Sequence, residues 1–340
     1  MIRVGIVGIG FMGWIHYLAY QSRSDVEVVA ICSRDAGKRA GDWSGIKGNF
    51  GPPAGQVDLT GIQTYETLDE MLADPDVDLV DLCTPPAAHL QGIMAAATAN
   101  KHVFCEKPLG LTLPDCDQAV EICQQQKVQL FVGHVLPFFT EYQFALAAAQ
   151  DKRFGRVLGG SFKRVVSDPT WLPDFYDPEI VGGPLLDLHV HDAHFIRLLF
   201  GMPSAVHSVG RKRGQVVSYC QSIFEFADAE HCVAAASGVI DQQGRPFNHG
   251  YEIHFEQATL QFEFAAFADQ PESMPLKVLL FDGSVERPEL GDGDPVFAFK
   301  REIGEVVNCL ETSQPSTILD ATLARDAVEI CCLQAEQTFC

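Results

Sequence analysis

Residues 1–20 read MIRVGIVGIGFMGWIHYLAY. The run Ile2 to Val7 is apolar and short enough for a buried strand. Gly8-Ile9-Gly10-Phe11-Met12-Gly13 follows at once, and residues 14–20 read as helix. Strand, G-x-G-x-x-G, helix is the context in which that glycine spacing marks a dinucleotide-binding turn. Gly8 permits the tight turn, Gly10 lets a pyrophosphate approach the backbone, and Gly13 allows the helix to pack closely on the strand. The helix start presents unpaired N–H groups and a partial positive charge to phosphates. Gly8, Gly10, Phe11, Met12 and Gly13 are therefore the expected cradle. A bare βα turn without a ligand is the alternative.

The next apolar run, Val26 to Cys32, is rich in β-branched residues and reads as a neighbouring parallel strand. The group that meets the adenine ribose is expected about 20 residues beyond the glycines. Ser33 and Arg34 stand there. An acidic residue would accept from the ribose hydroxyl and repel a 2′-phosphate, whereas Ser33 and Arg34 offer donors and positive charge. The expected cofactor is NADP in preference to NAD. A solvated Arg34 lying over the adenine of either cofactor is the alternative. Asp35 is expected to start the next helix.

Residues 45–60 are rich in Gly and Pro and read as a surface loop, and 65–73 as a short helix capped by Thr67. Residues 77–83 form a buried strand stopped by Thr84-Pro85-Pro86, with His89 near the start of the following helix. The strand at 102–105 ends in Glu106-Lys107-Pro108. Ligands of doubly wound sheets lie outside the carboxyl ends of the strands. Thr84, Pro85, His89, Glu106 and Lys107 are thus expected beside the cofactor. Helix and strand alternate to residue 133, as in a parallel sheet wound on both faces. From residue 134 the pattern changes to two helices, a series of strand runs between 157 and 281, and amphipathic helices at 295–310 and 318–337. The expected domains are 1–133, binding NAD(P), and 134–340, binding substrate and forming an oligomer, with the C-terminal helix able to pack back on the first. The second sheet is expected to be mostly antiparallel and to leave an apolar face uncovered.

The chain has 340 residues, 24 Lys and Arg, 45 Asp and Glu, and a net charge of −21. That balance argues against nucleic acid or an anionic membrane as partner. No apolar run approaches a membrane span, and the glycines break any likeness of the N-terminus to a signal peptide. Eleven cysteines without a C-x-x-C pair point to reduced thiols in the cytoplasm.

The glycine turn, Thr84-Pro85-Pro86 with His89, Glu106-Lys107-Pro108 and Gly182-Gly183-Pro184-Leu185-Leu186-Asp187-Leu188-His189-Val190-His191 occur in that order. Together they resemble the Gfo/Idh/MocA family. The resemblance implies a Rossmann domain followed by an α/β domain with a large open sheet that commonly forms the oligomer interface. It implies NAD(P)-dependent oxidation or reduction of a sugar, cyclitol or related polyol. Lys107 and His191 match the family's acid/base positions, and Asp187 its carboxylate that orients the histidine or the substrate. Two departures fall at substrate contacts. The family often has Arg-Phe or Arg-Tyr after the last Rossmann strand, where this chain has Pro137-Phe138-Phe139. It often has Asp three residues after the motif histidine, where this chain has His194.

Hydride transfer from an alcohol requires a group to take the hydroxyl proton. Free lysine is a weak acid with a pKa of about 10.4, which burial or a neighbouring cation lowers. Asp187 and His191, four apart, share one helix face. A capped helix start whose histidines pack on the sheet is the alternative, and His189 is expected to be structural. Asp187, His191 and His194 also have a spacing that can present metal ligands, but the chemistry of the resembling family needs none and no metal is expected. Two other functions remain: a dinucleotide-dependent glycoside hydrolase running an internal redox cycle, and nucleotide binding without chemistry.

Overall fold

The first strand, β1 (Ile2–Val7), lies at the centre of a six-stranded parallel sheet. The sheet continues with β2 (Val26–Cys32), β3 (Gln63–Tyr65), β4 (Leu79–Leu82), β5 (His102–Glu106) and β6 (Leu130–Gly133), in the order β3-β2-β1-β4-β5-β6. Its crossovers are α1 (Phe11–Gln21), α2 (Ala36–Arg39), α3 (Leu68–Leu72), α4 (His89–Thr98) and α5 (Leu113–Gln126). This computed structural model describes residues 1–339 except 171, 173, 228–230, 241, 243, 245, 246 and 292. Val4, Ile6, Ala30, Ile31, Leu79, Val80, Val103 and Phe104 are fully buried. Strands covered on both faces need near-continuous apolar runs, which is why these segments lack alternation. The reversal of strand order beside β1 places the ends of β1 and β4 at a topological switch point.

One local expectation requires correction. Tyr65 closes β3 rather than opening a helix, because residues 63–65 pair in parallel with Ala30–Cys32. Helix α3 starts three residues later, where Thr67 and Glu70 form a reciprocal capping box.

By internal contact the chain divides into residues 1–138 with 293–325, and 139–292 with 326–340. The division at residue 133 places 293–325 with the second domain, whereas their contacts lie in the first unit. That stretch contains helix α8 below, which packs on α1.

The second unit contains α6 (Thr140–Gln150), β7 (Val157–Ser167) and one π-helical turn (Leu185–His189) running into α7 (Val190–Phe200). Strands β8 (Ala205–Arg213), β9 (Val216–Glu225), β10 (Cys232–Ile240), β11 (Phe247–Phe255), β12 (Ala258–Ala266), β13 (Pro271–Leu280) and β14 (Val285–Glu286) follow. The chain closes with α8 (Pro295–Thr312), α9 (Ala321–Gln337) and β15 (Thr338–Phe339). Sheet order is β14-β13-β12-β11-β7-β10-β9-β8-β15, antiparallel except for β7 with β10 and β8 with β15.

Register sorts the two faces of this sheet. Val206, Phe224, Val233, Gly160, Ile253, Leu260 and Val278 pair in succession across it, and the apolar members of that row are buried. The neighbouring row is His207, Ile223, Ala234, Ser161, Glu252, Gln261 and Lys277. The open face is therefore mixed rather than apolar, since the period of two sends polar residues outward. Among the described residues no helix is long and apolar enough to cross a membrane.

Candidate active site

The turn after β1 is built so that only glycine fits at two places. Gly8 has φ +92°, and a Cβ there would lie 2.6 Å from the Cys83 carbonyl oxygen. A Cβ on Gly13 would lie 2.3 Å from the Gly8 oxygen. At Gly10, by contrast, a Cβ would meet nothing within 4 Å. Gly10 is the N-cap of α1 and has no side chain to satisfy the helix's first N–H groups. Space and donors thus coincide where a diphosphate would rest. Thr84, at the end of β4, adds a buried Oγ1 with no hydrogen-bond partner among the described residues. Its Cγ2 lies 3.4 Å from the Cβ position of Gly8. These features fit a dinucleotide.

The side chain of Phe11 packs away from the turn. Phe11 stacks edge-on against Phe50, 4.8 Å between centroids, and fills the space over Gly48. Trp14 Nε1 donates to the Pro52 carbonyl. The Gly/Pro-rich loop is pinned to α1 in this way.

At the end of β2, Asp35 accepts from the amides of Gly37 and Lys38 as the cap of α2. Ser33 is nearly buried and its Oγ accepts from Asp35 N. Arg39 is spent on the Ser33 carbonyl and Glu66. Arg34 is exposed and makes no hydrogen bond or ion pair among the described residues.

His89 and Glu106, both expected to touch the cofactor, turn inward. His89 is fully buried, with Nδ1 2.7 Å from the Pro108 carbonyl and Nε2 2.9 Å from the Thr84 carbonyl. Each ring nitrogen faces a backbone carbonyl, so His89 lies between the two loops, and an imidazole with one N–H donates to one of them. Burial lowers its proton affinity. Glu106 is 7% exposed; its Oε2 accepts from the Lys107 amide at 3.0 Å, and Oε1 lies 3.1 Å from His16 Nε2. Pro85 opens the 3₁₀ turn before α4. Lys107 follows β5 at the sheet's carboxyl edge and precedes Pro108 through a cis peptide bond.

Asp187 and His191 belong to the second unit. Asp187 sits on the π turn and His191 on the first turn of α7. Single π turns inside helices recur at functional sites. His189 and Asp192 are buried beside them, and Arg164 from β7 holds Asp192 through Nε at 2.7 Å and Nη2 at 3.1 Å. Burial pushes the Asp192 carboxyl up, but Arg164 and His189 together outweigh it and the net shift is downward. His189 Nδ1 is 3.7 Å from the same carboxylate. Asp187, His191 and His194 do not converge as a ligand set. Among the described residues the group that does is His16, Asp81 and Cys83, in the other unit.

Comparison with known proteins agrees with this layout. Residues 2–134 match an oxidoreductase family with an NAD-binding Rossmann fold, and residues 142–261 match the C-terminal domain of the same family. The chain belongs to the Gfo/Idh/MocA family. A myo-inositol 2-dehydrogenase of Thermotoga maritima is 27% identical over 263 residues, 75% of this chain and 72% of its own. A 2,7-anhydro-N-acetylneuraminate hydratase of Mediterraneibacter gnavus is 34% identical over 149 residues, 42% of this chain and 39% of its own. Several other curated relatives are matched over 53–60% of their length. In structure, the aldose-aldose oxidoreductase of Caulobacter crescentus complexed with glycerol has a TM-score of 0.79 at 20% identity, over 99% of this chain and 98% of that one. At that identity the likeness is one of fold.

Proposed function

We propose that the protein transfers a hydride between NAD(P) and a hydroxyl-bearing carbon of a sugar, cyclitol or related polyol. The observation that carries this reading is the open, glycine-walled helix start at Gly10, on the same sheet edge as Lys107. The named activity of the Thermotoga relative supports the substrate class.

The nicotinamide, when bound, accepts or returns the hydride. The chain supplies the rest. Backbone N–H groups at Gly10 to Gly13 hold the diphosphate, helped by the α1 dipole. Thr84 Oγ1 gives a polar contact at the end of β4. Lys107 takes the hydroxyl proton during oxidation and returns it during reduction. His191 and Asp187, in the second unit, match the family's other acid/base position and the carboxylate that orients it. Arg34, with no hydrogen bond or ion pair among the described residues, grips a 2′-phosphate and favours NADP, while the Asp35 carboxylate is kept at the cap of α2.

The protein acts as a homo-oligomer in the cytoplasm on this reading. Ten cysteines are free thiols among the described residues, which suits a reducing compartment. Beside Ile223 and Val209, 56% and 70% exposed, the open sheet face carries small Ala234 and Ala236, over which a second copy can lie flat.

A second reading has a specific observation behind it. One relative is named a hydratase, an activity without net redox change, and the alternative is a dinucleotide-dependent glycoside hydrolase that leaves the cofactor unchanged over its cycle. A panel of polyols and aldoses, read by NAD(P)H absorbance and by product mass, separates the two. Net cofactor turnover supports the dehydrogenase. Product formed without net turnover would replace it with the second reading.

A further inference from the structure

Two pairs of polar side chains meet inside the first unit, at a place the chemistry above does not use. His16 and Tyr20 lie four apart on α1 and so share one face of the helix. Asp81 and Cys83 lie two apart at the end of β4 and so share one side of the extended chain. His16 and Asp81 are fully buried, Tyr20 is almost so, and Cys83 is part-exposed.

One atom from each of His16, Asp81 and Cys83 lies within 4.8 Å of the other two. The separations are 2.8 Å from His16 Nδ1 to Asp81 Oδ2, 3.4 Å from Cys83 Sγ to His16 Nδ1, and 3.4 Å from Cys83 Sγ to Asp81 Oδ1. Zinc bonds of about 2.3 Å to sulfur and about 2.0–2.1 Å to nitrogen or oxygen set tetrahedral ligands about 3.3–3.6 Å apart. Both sulfur edges are close to that, and the His16–Asp81 edge needs to open by about half an ångström. Two further observations point to a cation. Among the described residues the Asp81 carboxylate has no ion-pair partner but His16, and buried charges are paired or coordinate metals. Tyr20 Oη is buried without a hydrogen-bond partner among the described residues, near enough to Asp81 and Cys83 to interact electrostatically with both. Buried polar atoms are rarely left so, and this one offers a fourth donor at the same place.

We propose that His16, Asp81 and Cys83 bind a structural zinc ion, with Tyr20 Oη completing the site directly or through one water. Imidazole, thiolate and carboxylate together suit zinc rather than magnesium or calcium. On binding, the Cys83 thiol releases its proton to solvent and the imidazole keeps its one proton on Nε2. Thiolate and carboxylate then balance the two charges of the ion. The part-exposed side of Cys83 gives the ion a way in. The ion takes no part in hydride transfer. It ties α1 to the end of β4 beneath the glycine turn, where the Cys83 carbonyl lies 2.6 Å from the Cβ position of Gly8 and Cys83 Cβ lies 3.7 Å from that of Gly13. The proposal therefore stands apart from any role of Lys107.

The test uses the full-length protein, stripped with a chelator, reloaded with zinc and dialysed against metal-free buffer. Metal analysis by mass spectrometry should find about one zinc per chain. X-ray absorption at the zinc edge should show about one sulfur neighbour at about 2.3 Å and about three nitrogen or oxygen neighbours at about 2.0–2.1 Å. Cys83→Ser and Asp81→Asn, which change shape little, should each retain about tenfold less zinc. The thermal midpoint of the wild type should rise with added zinc, and those of the two variants should not. The absorption spectrum needs only the wild type, so it decides even where a variant fails to fold. Less than about a tenth of a zinc per chain in the wild type, a shell with no sulfur, a shell with two or more sulfurs, or full zinc retention in both variants would overturn the proposal and leave the cluster as a hydrogen-bonded network.

Discussion

Arg164 and Asp192 are locked in a two-point ion pair inside the second unit, at 2.7 and 3.1 Å and almost without solvent exposure. Asp192 follows His191 directly in α7, so the pair ties the helix that carries the proposed proton-handling histidine to β7. Removing one partner of a buried pair leaves the other charge stranded, at about 3–5 kcal/mol. Arg164→Met is expected to cost that much in urea unfolding, and Arg164→Met with Asp192→Asn to recover most of it. Additive losses in the double variant would show that the two side chains stabilise the fold separately.

Glu302 provides a prediction with a definite sign. Its folded-state proton affinity is raised well above that of the unfolded chain, by burial first and Glu106 second. The native state therefore keeps a proton that the unfolded state releases above about pH 4.5, and stability falls by about 1.4 kcal/mol per pH unit from there to the folded pKa. Glu302→Gln removes that slope. The variant should match the wild type near pH 4.5 and exceed it increasingly towards neutrality, as read by thermal melts across pH. A difference independent of pH would mean that Glu302 is ionised in the fold.

Cofactor choice should depend on Arg34. Loss of a charge-assisted bond to a 2′-phosphate is worth about 1.5–3 kcal/mol. Arg34→Ala should weaken NADP by that amount in calorimetric titration and leave NAD nearly unchanged. Equal losses for both cofactors would assign Arg34 to the adenine instead.

The open face of the nine-stranded sheet should bury itself in an oligomer. Light scattering at micromolar concentration should report more than one chain, and Ile223→Lys should shift the equilibrium towards the monomer. A wild-type monomer would contradict the assignment.

Much of the fold was legible because it is written in short periods. Glycine spacing, apolar runs and turn residues locate five of the six Rossmann strands and the main strands of the second sheet. The edge pieces β3, β14 and β15 were missed, being two or three residues long and held by their neighbours rather than by their own pattern. The buried ionic groups were illegible for another reason. Asp81 lies inside a four-residue strand that is buried throughout, and its partner His16 is 65 residues away. Arg164 and Asp192 are 28 apart, on a strand and a helix. No local spacing announces such pairs, and one polar residue in an apolar run reads as noise until the fold supplies the second. His89 and Glu106 were placed at the correct edge, but direction along a strand end does not say which way a side chain turns.

The central claim is that Lys107 moves the proton while the glycine turn holds the cofactor. The most direct test is Lys107→Ala, measured for kcat on the substrate identified in the panel and for cofactor Kd by fluorescence. The account predicts a fall in kcat of about 10²–10⁴-fold, with Kd changed little and no rescue by Lys107→Arg, which hardly releases a proton. A near-normal kcat in Lys107→Ala would contradict it and move the acid/base role to His191.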